Sequence, residues 1–203
     1  MIACLDLEGV LLPEIWIKFA EKTGVEDLKL TTRDIPDYDE LMTKRLNILK
    51  ENNFKLTDIK EVISTLKPLD GAIEFHKWLR SEFEVIILSD TFYQFVSPLM
   101  KKLDYPTLFC HQLVIDANDS IIGYKLRQPN GKKEAVKALQ NLNFKVVAAG
   151  DSYNDIGMLK QANEGILFDP PENVISDYPQ FSVSMSYVDF QKKLEACKIK
   201  FEG

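Results

Sequence analysis

The sequence predicts an α/β protein in which a doubly wound parallel sheet carries a small helical cap, inserted after the first strand. Two observations lead to this fold class. Short apolar runs alternate with amphipathic helical segments over most of the chain, a pattern typical of a parallel sheet with helices on both faces. Near the N-terminus this alternation is interrupted by helical patterns alone. We therefore expect a core of residues 1–12 and 69–203 and a cap of residues 13–68.

The N-terminal segment predicts one buried strand followed by the first cap helix. Residues 2–7 form an apolar run that ends in a turn, as expected for a strand of a parallel sheet. Pro13 suits the first turn of a helix over residues 14–22, because its missing N–H would have no helical partner there. Gly24 is placed to end this helix.

Two further helical patterns complete the predicted cap. Residues 38–52 carry leucine and methionine side chains at helical spacing, and residues 58–66 follow a candidate N-cap at Thr57. We expect this insertion to lie beside the end of the first strand, where it could close over a bound ligand and exclude water.

The rest of the chain alternates between predicted strands and helices, with one hairpin whose turn contains Asn118 and Asp119. The expected helices are residues 72–80, 92–102, 133–142, 155–162 and 188–196. The expected strands are residues 85–88, 107–110, 146–149 and 165–168, and the hairpin pairs residues 113–116 with 121–126.

Composition excludes several classes of function. The 203 residues suffice for one domain with an insertion, and the net charge of -6 argues against a sequence-independent nucleic-acid binder, which needs a basic face. The three cysteines form no C-x-x-C pair, so neither a zinc site nor a disulfide framework is expected. No apolar segment approaches the roughly 20 residues of a membrane span. With an N-terminus unlike a leader peptide, these features predict a cytoplasmic protein with no nucleic-acid or membrane partner.

Acidic and hydroxyl side chains follow three of the predicted strands. Ligands of open α/β sheets bind outside the carboxyl ends of the strands, so these positions are candidates for one shared site. They are Asp6, Glu8, Ser89, Asp90, Asp151 and Asp155. Any one of them is more often a turn or helix-cap residue, but their joint occurrence at three strand ends favours a functional site.

The spacing of Asp6 and Glu8 favours a divalent cation at this site. Residues two apart in a strand point to the same side, so both carboxylates can face one site while Leu7 enters the core. Crowded carboxylates repel one another unless a cation lies between them. Mg²⁺ takes carboxylate oxygens and completes its octahedron with water and phosphate oxygens. One oxygen of Asp6 could then attack phosphorus as an aspartyl nucleophile.

Four motifs, taken in order, resemble those of the haloacid dehalogenase superfamily. That superfamily has D-x-D-G-[TV] at the first strand, a Ser or Thr after a second strand, a Lys further on and an acidic pair after a later strand. The corresponding positions here are residues 6–10 (DLEGV), Ser89, Lys132 or Lys133, and residues 150–155 (GDSYND). The last segment is similar to the G-D-[GS]-x-N-D of phosphoserine phosphatases. The resemblance implies a haloacid dehalogenase-like Rossmannoid core.

Three segments sharpen this resemblance. Residues 6–10 (DLEGV), 35–39 (IPDYD) and 89–93 (SDTFY) resemble the bifunctional phosphoserine phosphatase/phosphoserine:homoserine phosphotransferase family, and the likeness covers nearly the whole chain. It implies phosphoryl transfer from O-phosphoserine to water or to homoserine through an aspartyl-phosphate, within serine and threonine biosynthesis. Mg²⁺ is the implied cofactor. The sequence leaves the oligomeric state open, with a homodimer as one option.

The resemblance implies a metal site and a departure from its usual pattern. Asp6 would be the nucleophile, and Mg²⁺ would be held by the Asp6 carboxylate, the Glu8 backbone carbonyl and Asp151, with Asp155 in the outer shell. Glu8 stands where many relatives have an aspartate that acts as general acid and then as general base. Our hypothesis is that its longer reach permits an alcohol acceptor as well as water. A merely tolerated substitution is the alternative.

The phosphate end of the substrate would meet two further residues. Ser89 would donate a hydrogen bond to a phosphoryl oxygen, and Lys132 would neutralise charge on it. Lys133 stays an alternative, because the sequence register alone favours Lys132. Asp90 stands where phosphoserine phosphatases usually carry glycine. Its carboxylate could meet the ammonium of an amino-acid substrate, or it could cap a helix that begins at Thr91.

The amino-acid end of the substrate would meet Glu14 and Arg45. A planar guanidinium can grip an α-carboxylate, and a carboxylate can receive an α-ammonium. Asn154 resembles a further substrate contact of the family. The mechanism needs neither His76 nor His111, which we interpret as structural residues.

Two other functions compete with this interpretation. A phosphatase of another small phosphomonoester would give Glu14 and Arg45 no amino-acid role. A catalytically silent metabolite-binding or regulatory subunit is a different class of protein. The nucleophile, the metal carboxylates and the lysine argue against the second alternative.

Overall fold

The computed structural model describes residues 1–32, 34–35 and 37–202. Its strands are β1 (Ile2–Leu5), β2 (Glu84–Phe92), β3 (Thr107–Ile115), β4 (Ile121–Lys125), β5 (Val146–Gly150), β6 (Glu164–Phe168) and β7 (Ser182–Ser184). They form one sheet of order β4-β3-β2-β1-β5-β6-β7. Neighbouring strands are parallel except β3 and β4, which form the antiparallel hairpin at one edge. The predicted α/β fold class is confirmed.

Helices cover both faces of this sheet. They are α1 (Ile15–Thr23), α2 (Tyr38–Glu51), α3 (Leu56–Thr65), α4 (Ala72–Glu82), α5 (Tyr93–Met100), α6 (Gly131–Asn141), α7 (Ile156–Gln161), α8 (Glu172–Asp177) and α9 (Tyr187–Glu202). In the central strand β1, Ala3 and Leu5 join one buried apolar cluster, and Ile2 and Cys4 join another. Because both faces are covered, β1 is a continuous apolar run rather than an alternating one.

Helices α1–α3 lie between β1 and α4 in the chain, together with a 3-10 turn at Glu26–Lys29. Their apolar side chains, among them Phe19 and Ile59, belong to the same buried cluster as Leu5 of the central strand. Gly24 ends α1 in the left-handed conformation, with a φ of 72°, as its position in the sequence predicts.

We keep residues 13–68 as the proposed bounds of the cap and residues 1–12 and 69–203 as those of the core. Pro36, part of the segment 35–39 that carries the family resemblance, lies outside the described residues, as do Arg33 and Gly203. Among the helices of the described ranges, none combines the length and the apolar surface that a bilayer crossing requires.

The predicted N-cap of α3 at Thr57 is wrong. The helix begins at Leu56, and Asp58 Oδ2 accepts a hydrogen bond from the backbone N–H of Lys55 at 2.7 Å. Thr57 instead donates to Asp119 Oδ2 of the β3–β4 turn, from its backbone N at 2.9 Å and from Oγ1 at 2.7 Å. A partner 62 positions along the chain therefore completes the cap, which local sequence could not reveal.

The sheet differs from the prediction in three stretches. Residues 107–110 and 113–116 belong to one continuous strand, β3. Strand β2 continues to Phe92, with a shift of register after Leu88, so the following helix begins one residue later than expected. Helix α8 and strand β7 have no counterpart in the prediction, because six and three residues are too short to establish a period.

Candidate active site

Three buried carboxylates meet at the carboxyl ends of β1 and β5. Asp6 follows β1, Asp151 follows β5, and Asp155 closes a 3-10 turn, Tyr153–Asp155, that leads into α7. Each offers one oxygen, and these oxygens all lie within 4.8 Å of one another. All three residues are buried, with Asp155 at 0% exposure. The parallel topology thus brings together residues that are about 150 positions apart in sequence, as the strand-end argument predicts.

Two glycines make room for these carboxylates. A Cβ on Gly9 would lie 2.5 Å from Asp151 Cγ, and Gly9 also has a φ of +78°. A Cβ on Gly150 would lie 2.2 Å from Asp155 Cγ. The close approach lets Asp155 Oδ2 accept hydrogen bonds from the backbone N–H groups of Asp151 and Ser152, at 3.0 and 3.1 Å. Asp155 therefore fixes the loop that carries Asp151.

Lys132, near the start of α6, lies among the carboxylates. Its Nζ is 2.7 Å from Asp155 Oδ1, 3.0 Å from Asp6 Oδ2 and 3.4 Å from Asp90 Oδ2. Burial by itself would lower the pKa of the ammonium, but the three carboxylates outweigh burial and raise the pKa well above its ordinary value. Lys132 is therefore a fixed positive charge within contact of the predicted nucleophile.

The charges of this cluster fit a divalent cation. Burial and the neighbouring Asp155 raise the pKa of Asp6 well above its ordinary value, against the opposing effect of Lys132. Asp6, Asp151 and Asp155 are three carboxylates beside the single ammonium of Lys132. This buried cluster therefore carries an excess of negative charge when all its groups are ionised. A hard cation with oxygen ligands would offset that excess, and Mg²⁺ prefers such ligands. Asp6, Asp151 and Asp155 are the residues that could hold it.

Ser89 and Asp90 reach the site from β2. Ser89 is buried, and its Oγ accepts a hydrogen bond from the Thr91 backbone N–H at 3.3 Å. The suggestion that Asp90 caps the next helix is wrong, because Phe92 occupies the N-cap position of α5. Two residues remain between Asp90 and the first residue of that helix because β2 continues past the expected end of the strand. The Asp90 carboxylate is instead available to the site.

Glu8 links the site to the cap. Its Oε2 accepts a hydrogen bond from the backbone N–H of Ile15, the first residue of α1, at 2.9 Å. One carboxylate oxygen therefore satisfies a donor at the start of α1 that would have no partner within the helix. Glu8 also lines the same cavity as Asp6.

Arg45 of α2 lies at the far side of this cavity. Its side chain is buried, with the guanidinium carbon 4.6 Å from the centre of the Trp16 ring and Nη2 donating to the Leu30 carbonyl at 2.8 Å. Burial lowers the pKa of Arg45 to about 10, so it stays charged at neutral pH. Within the described part of the chain, its Nε has no hydrogen-bond partner. A buried, charged donor in this state is suited to an anionic ligand.

A cavity of about 410 Å³ connects these groups. Eight of the predicted site residues line it, namely Asp6, Glu8, Glu14, Arg45, Ser89, Asp90, Asp151 and Asn154. Lys132 and Lys133 line a neighbouring cavity of about 720 Å³, which shares Asp90 and Asn154 with the first. Of the two lysines, Lys132 is the one that forms ion pairs with Asp6 and Asp155. Asp155 lies buried beside Lys132 and accepts a hydrogen bond from its ammonium at 2.7 Å.

Sequence reasoning missed His111 and Tyr38. His111 lies buried in β3, with Nε2 3.4 Å from Asp90 Oδ1. Tyr38, the first residue of α2, donates from its hydroxyl to the Asp90 backbone carbonyl at 3.1 Å. Neither follows a strand, so strand-end reasoning could not find them, although Tyr38 lies in the segment 35–39 that carries the family resemblance. Their contacts with Asp90 were the available signal, and these depend on the folded sheet.

The chain is similar to several known proteins. Residues 3–163 match the family model described as haloacid dehalogenase-like hydrolase. The chain is 60% identical over 192 residues to phosphoserine phosphatase ThrH of Pseudomonas aeruginosa, covering 95% of this chain and 94% of that protein. It is 58% identical to a phosphoserine phosphatase of Pseudomonas syringae pv. tomato, covering 95% of this chain and 81% of that protein. A solved apo phosphoserine phosphatase has the same fold, with a TM-score of 0.77 and 21% identity over 96% of this chain and 97% of that one.

The match identifies a hydrolase, and the buried Asp6 at the end of β1 is its candidate nucleophile. The chain belongs to the haloacid dehalogenase-like hydrolase family. The family resemblance inferred from the four sequence motifs is thereby confirmed.

Proposed function

We propose that this protein is a magnesium-dependent phosphoserine phosphatase that also transfers the phosphoryl group from O-phosphoserine to homoserine. The observation that carries this proposal is the convergence of Asp6, Asp151, Asp155 and Lys132 in one buried cluster at the carboxyl ends of β1 and β5. Relatives that match over nearly the whole chain bear the name phosphoserine phosphatase, which supports the choice of substrate.

The proposed metal site uses residues at two strand ends. The Asp6 carboxylate, the Glu8 backbone carbonyl and Asp151 would hold Mg²⁺, and Asp155 would support them from behind through its contacts with the loop. When bound, the ion supplies positive charge that offsets the charge of the phosphate oxygens and of the crowded carboxylates. Lys132 adds a second positive charge, and Ser89 donates a hydrogen bond to a phosphoryl oxygen.

The reaction proceeds in two steps. A carboxylate oxygen of Asp6 attacks phosphorus, the bond from phosphorus to the seryl oxygen breaks, and Glu8 in its acid form donates a proton to that oxygen as serine leaves. Water then attacks the aspartyl-phosphate while the Glu8 carboxylate accepts its proton, releasing phosphate and restoring Asp6. With homoserine in place of water, the product is O-phosphohomoserine.

The far end of the cavity selects the amino acid. O-phosphoserine carries an α-carboxylate and an α-ammonium, and Arg45 and Glu14 offer the complementary charges. The Arg45 guanidinium is already desolvated and packed on Trp16, so little conformational freedom is lost when it binds a carboxylate. Asn154, which lines both cavities, would contact the substrate near the phosphate. The proposed partners are small molecules, with a homodimer as one option for assembly. We place the enzyme in the cytoplasm.

A pair of matched substrates tests the assignment. O-phosphoethanolamine is O-phosphoserine without the α-carboxylate, so we expect Arg45→Met to raise KM for phosphoserine roughly 10- to 100-fold and to change KM for phosphoethanolamine little. Steady-state phosphate release with magnesium measures both. Equal effects on the two esters, or a preference for sugar phosphates, would favour the phosphatase of another small phosphomonoester.

Removal of the nucleophile tests whether the protein is an enzyme at all. Asp6→Asn keeps the shape of the side chain but removes the attacking anion, so phosphate release should fall to the background rate. Chelation of magnesium should do the same to the unmodified protein. Wild-type protein that binds phosphoserine and releases no phosphate would point to the catalytically silent subunit.

The acceptor is identified from the products. Phosphorus NMR after incubation of O-phosphoserine and magnesium, with and without homoserine, should show O-phosphohomoserine in the first case only. Inorganic phosphate as the single product in both would restrict the proposal to the phosphatase activity.

A further inference from the structure

The Asp90 carboxylate is shared by donors from three parts of the chain. Its Oδ2 accepts a hydrogen bond from Asn154 Nδ2 at 3.0 Å and lies 3.4 Å from Lys132 Nζ, while Oδ1 lies 3.4 Å from His111 Nε2. Burial by itself would raise the pKa of Asp90, but the Lys132 charge and the donors of His111 and Asn154 hold it well below its usual range. Asp90 is therefore an ionised acceptor that joins β2 to α6 and to the loop after β5.

His111 presents a single tautomer to Asp90. Its Nδ1 accepts a hydrogen bond from the backbone N–H of Arg127 at 3.1 Å. A ring nitrogen that accepts a hydrogen bond bears no proton, so the ring proton is on Nε2, which faces the carboxylate. Because His111 is almost completely buried and belongs to β3, the position of this donor is set by the sheet.

Arg127 ties the same group to the start of α6. Its Nη2 donates to the Gly131 carbonyl at 2.9 Å, and its guanidinium lies over the Phe109 ring at 5.2 Å. Gly131 immediately precedes Lys132. The backbone and the side chain of one arginine therefore fix both the imidazole tautomer and the residue before the lysine.

We infer that Asp90 and His111 form a positioning pair that aligns the Lys132 ammonium and the Asn154 amide with the phosphoryl group. Neither residue of the pair needs to touch substrate. This inference rests on the proposed function, since Lys132 and Asn154 act there on the phosphate end. Lys132 contacts Asp6, Asp155 and Asp90. Because His111 holds Asp90 in place, Lys132 bridges Asp6 and Asp155 in one orientation.

A simple counter-charge would behave differently from a positioning pair. A carboxylate that only offsets the lysine charge would weaken phosphate binding by repulsion, and the neutral His111 behind it would not matter. A positioning pair requires both the acceptor and its donor. Substitutions of His111 leave the charge of the site unchanged, so they separate the two roles.

The test compares His111→Leu with His111→Gln. Leucine removes the donor, and we expect a roughly 10- to 100-fold loss of kcat, as for other misplaced catalytic groups. KM for phosphoserine should rise no more than several-fold, because Arg45 and Glu14 still bind the amino-acid end. Glutamine restores an N–H near the position of Nε2 and should recover most of kcat. The same kcat pattern is expected with p-nitrophenyl phosphate, which lacks the amino-acid end.

His76→Leu is the matched control, because it replaces a buried histidine in α4 that lines neither cavity. It should leave kcat unchanged. Calorimetric titration with inorganic phosphate in magnesium buffer adds a readout that needs no turnover. His111→Leu should weaken phosphate binding several-fold, and His111→Gln should restore it.

Wild-type kcat in His111→Leu, or an equal loss in the leucine and glutamine variants, would overturn the inference. If His111→Leu does not fold, Asp90→Asn tests the inference instead. The amide N–H group of the new asparagine would face the donors of Lys132 and Asn154, so kcat should fall. Unchanged kcat with tighter phosphate binding would instead identify a counter-charge. If wild-type protein hydrolyses neither O-phosphoserine nor p-nitrophenyl phosphate, the proposed function fails. The calorimetric titrations with phosphate then test the positioning pair by themselves.

Discussion

Glu8 occupies the space between the candidate nucleophile and the first cap helix. Its side chain accepts the Ile15 backbone N–H, a contact for which the extra methylene of glutamate, compared with aspartate, provides the reach. The residue holds the start of α1 with one oxygen, and it also lines the cavity. This arrangement gives a structural reason for the departure from the aspartate of many relatives, beside the proposed role in acceptor choice.

We expect Glu8→Asp to change the ratio of transfer to hydrolysis, because the shorter acid cannot hold α1 and face the acceptor at once. Loss of the hydrogen bond from the Ile15 N–H at the start of α1 should also lower the free energy of unfolding by about 1 kcal/mol. The products are quantified by phosphorus NMR with saturating homoserine. Glu8→Gln is the control, since it keeps an acceptor for the Ile15 N–H but cannot exchange a proton. Transfer and hydrolysis should both be lost in this variant. An unchanged ratio at full activity in Glu8→Asp would rule out the acceptor hypothesis.

Among the elements, α4 is notable for a buried histidine, His76, which is 2% exposed. The adjacent Phe75 stacks on Tyr187 and Phe190 of α9, with ring centres 4.8 Å apart in both cases. Burial lowers the pKa of His76 from 6.5 to about 4, and its Nε2 has no hydrogen-bond partner among the described residues. The helix therefore carries a histidine that folding keeps neutral.

This predicts a pH dependence of stability. The unfolded chain binds a proton at His76 below about pH 6.5, and the folded protein resists it until about pH 4, so stability falls as the pH drops through this window. The loss by pH 5 should be on the order of 1 kcal/mol. Urea unfolding at pH 7 and pH 5 should show a smaller difference for His76→Leu than for wild type. An identical difference would mean that other groups cause the dependence.

Across the whole molecule, polar contacts join the proposed cap to the proposed core at both ends of α3. Asp119 of the hairpin accepts from Thr57 at the start of α3, and Lys102 Nζ donates to the Leu66 carbonyl just after the end of α3, at 2.6 Å. Tyr38 of α2 adds a contact with the Asp90 carbonyl beside the cavity. The position of α2 and α3 beside the cavity thus depends on contacts with the β3–β4 hairpin as well as on apolar packing.

Asp119→Ala should loosen the cap. We expect roughly fivefold faster hydrogen exchange at the start of α3 and in the turn of residues 116–120. We also expect a lower kcat/KM, because the helices that line the cavity are held less firmly. Hydrogen exchange with mass spectrometry and steady-state kinetics measure these effects. Asp58→Ala is the matched control, since it removes the local cap of the same helix without touching the hairpin. Equal effects of the two variants would argue against a special role for the hairpin contact.

The fold class and the main metal and phosphate candidates could be predicted from the sequence, because both depend on local information. Apolar runs and helical periods predict strands and helices, and a parallel sheet sends all strand ends to one edge. The positions of Asp6 and Asp151 at two strand ends therefore suffice to predict that they meet, and their oxygens do lie together in the folded protein. Lys132 followed from motif register, and its contacts with Asp6 and Asp155 agree.

The distant residues that complete each local feature could not be predicted and are visible only in the folded protein. The cap of α3 comes from Asp119, 62 positions away, and the donor for Asp90 comes from His111 on the next strand of the sheet. Strand β7 exists because β6 offers it an edge, since three residues carry no periodic signal of their own. Such contacts depend on how elements pack, and side-chain periodicity specifies the buried face of an element but not its partner.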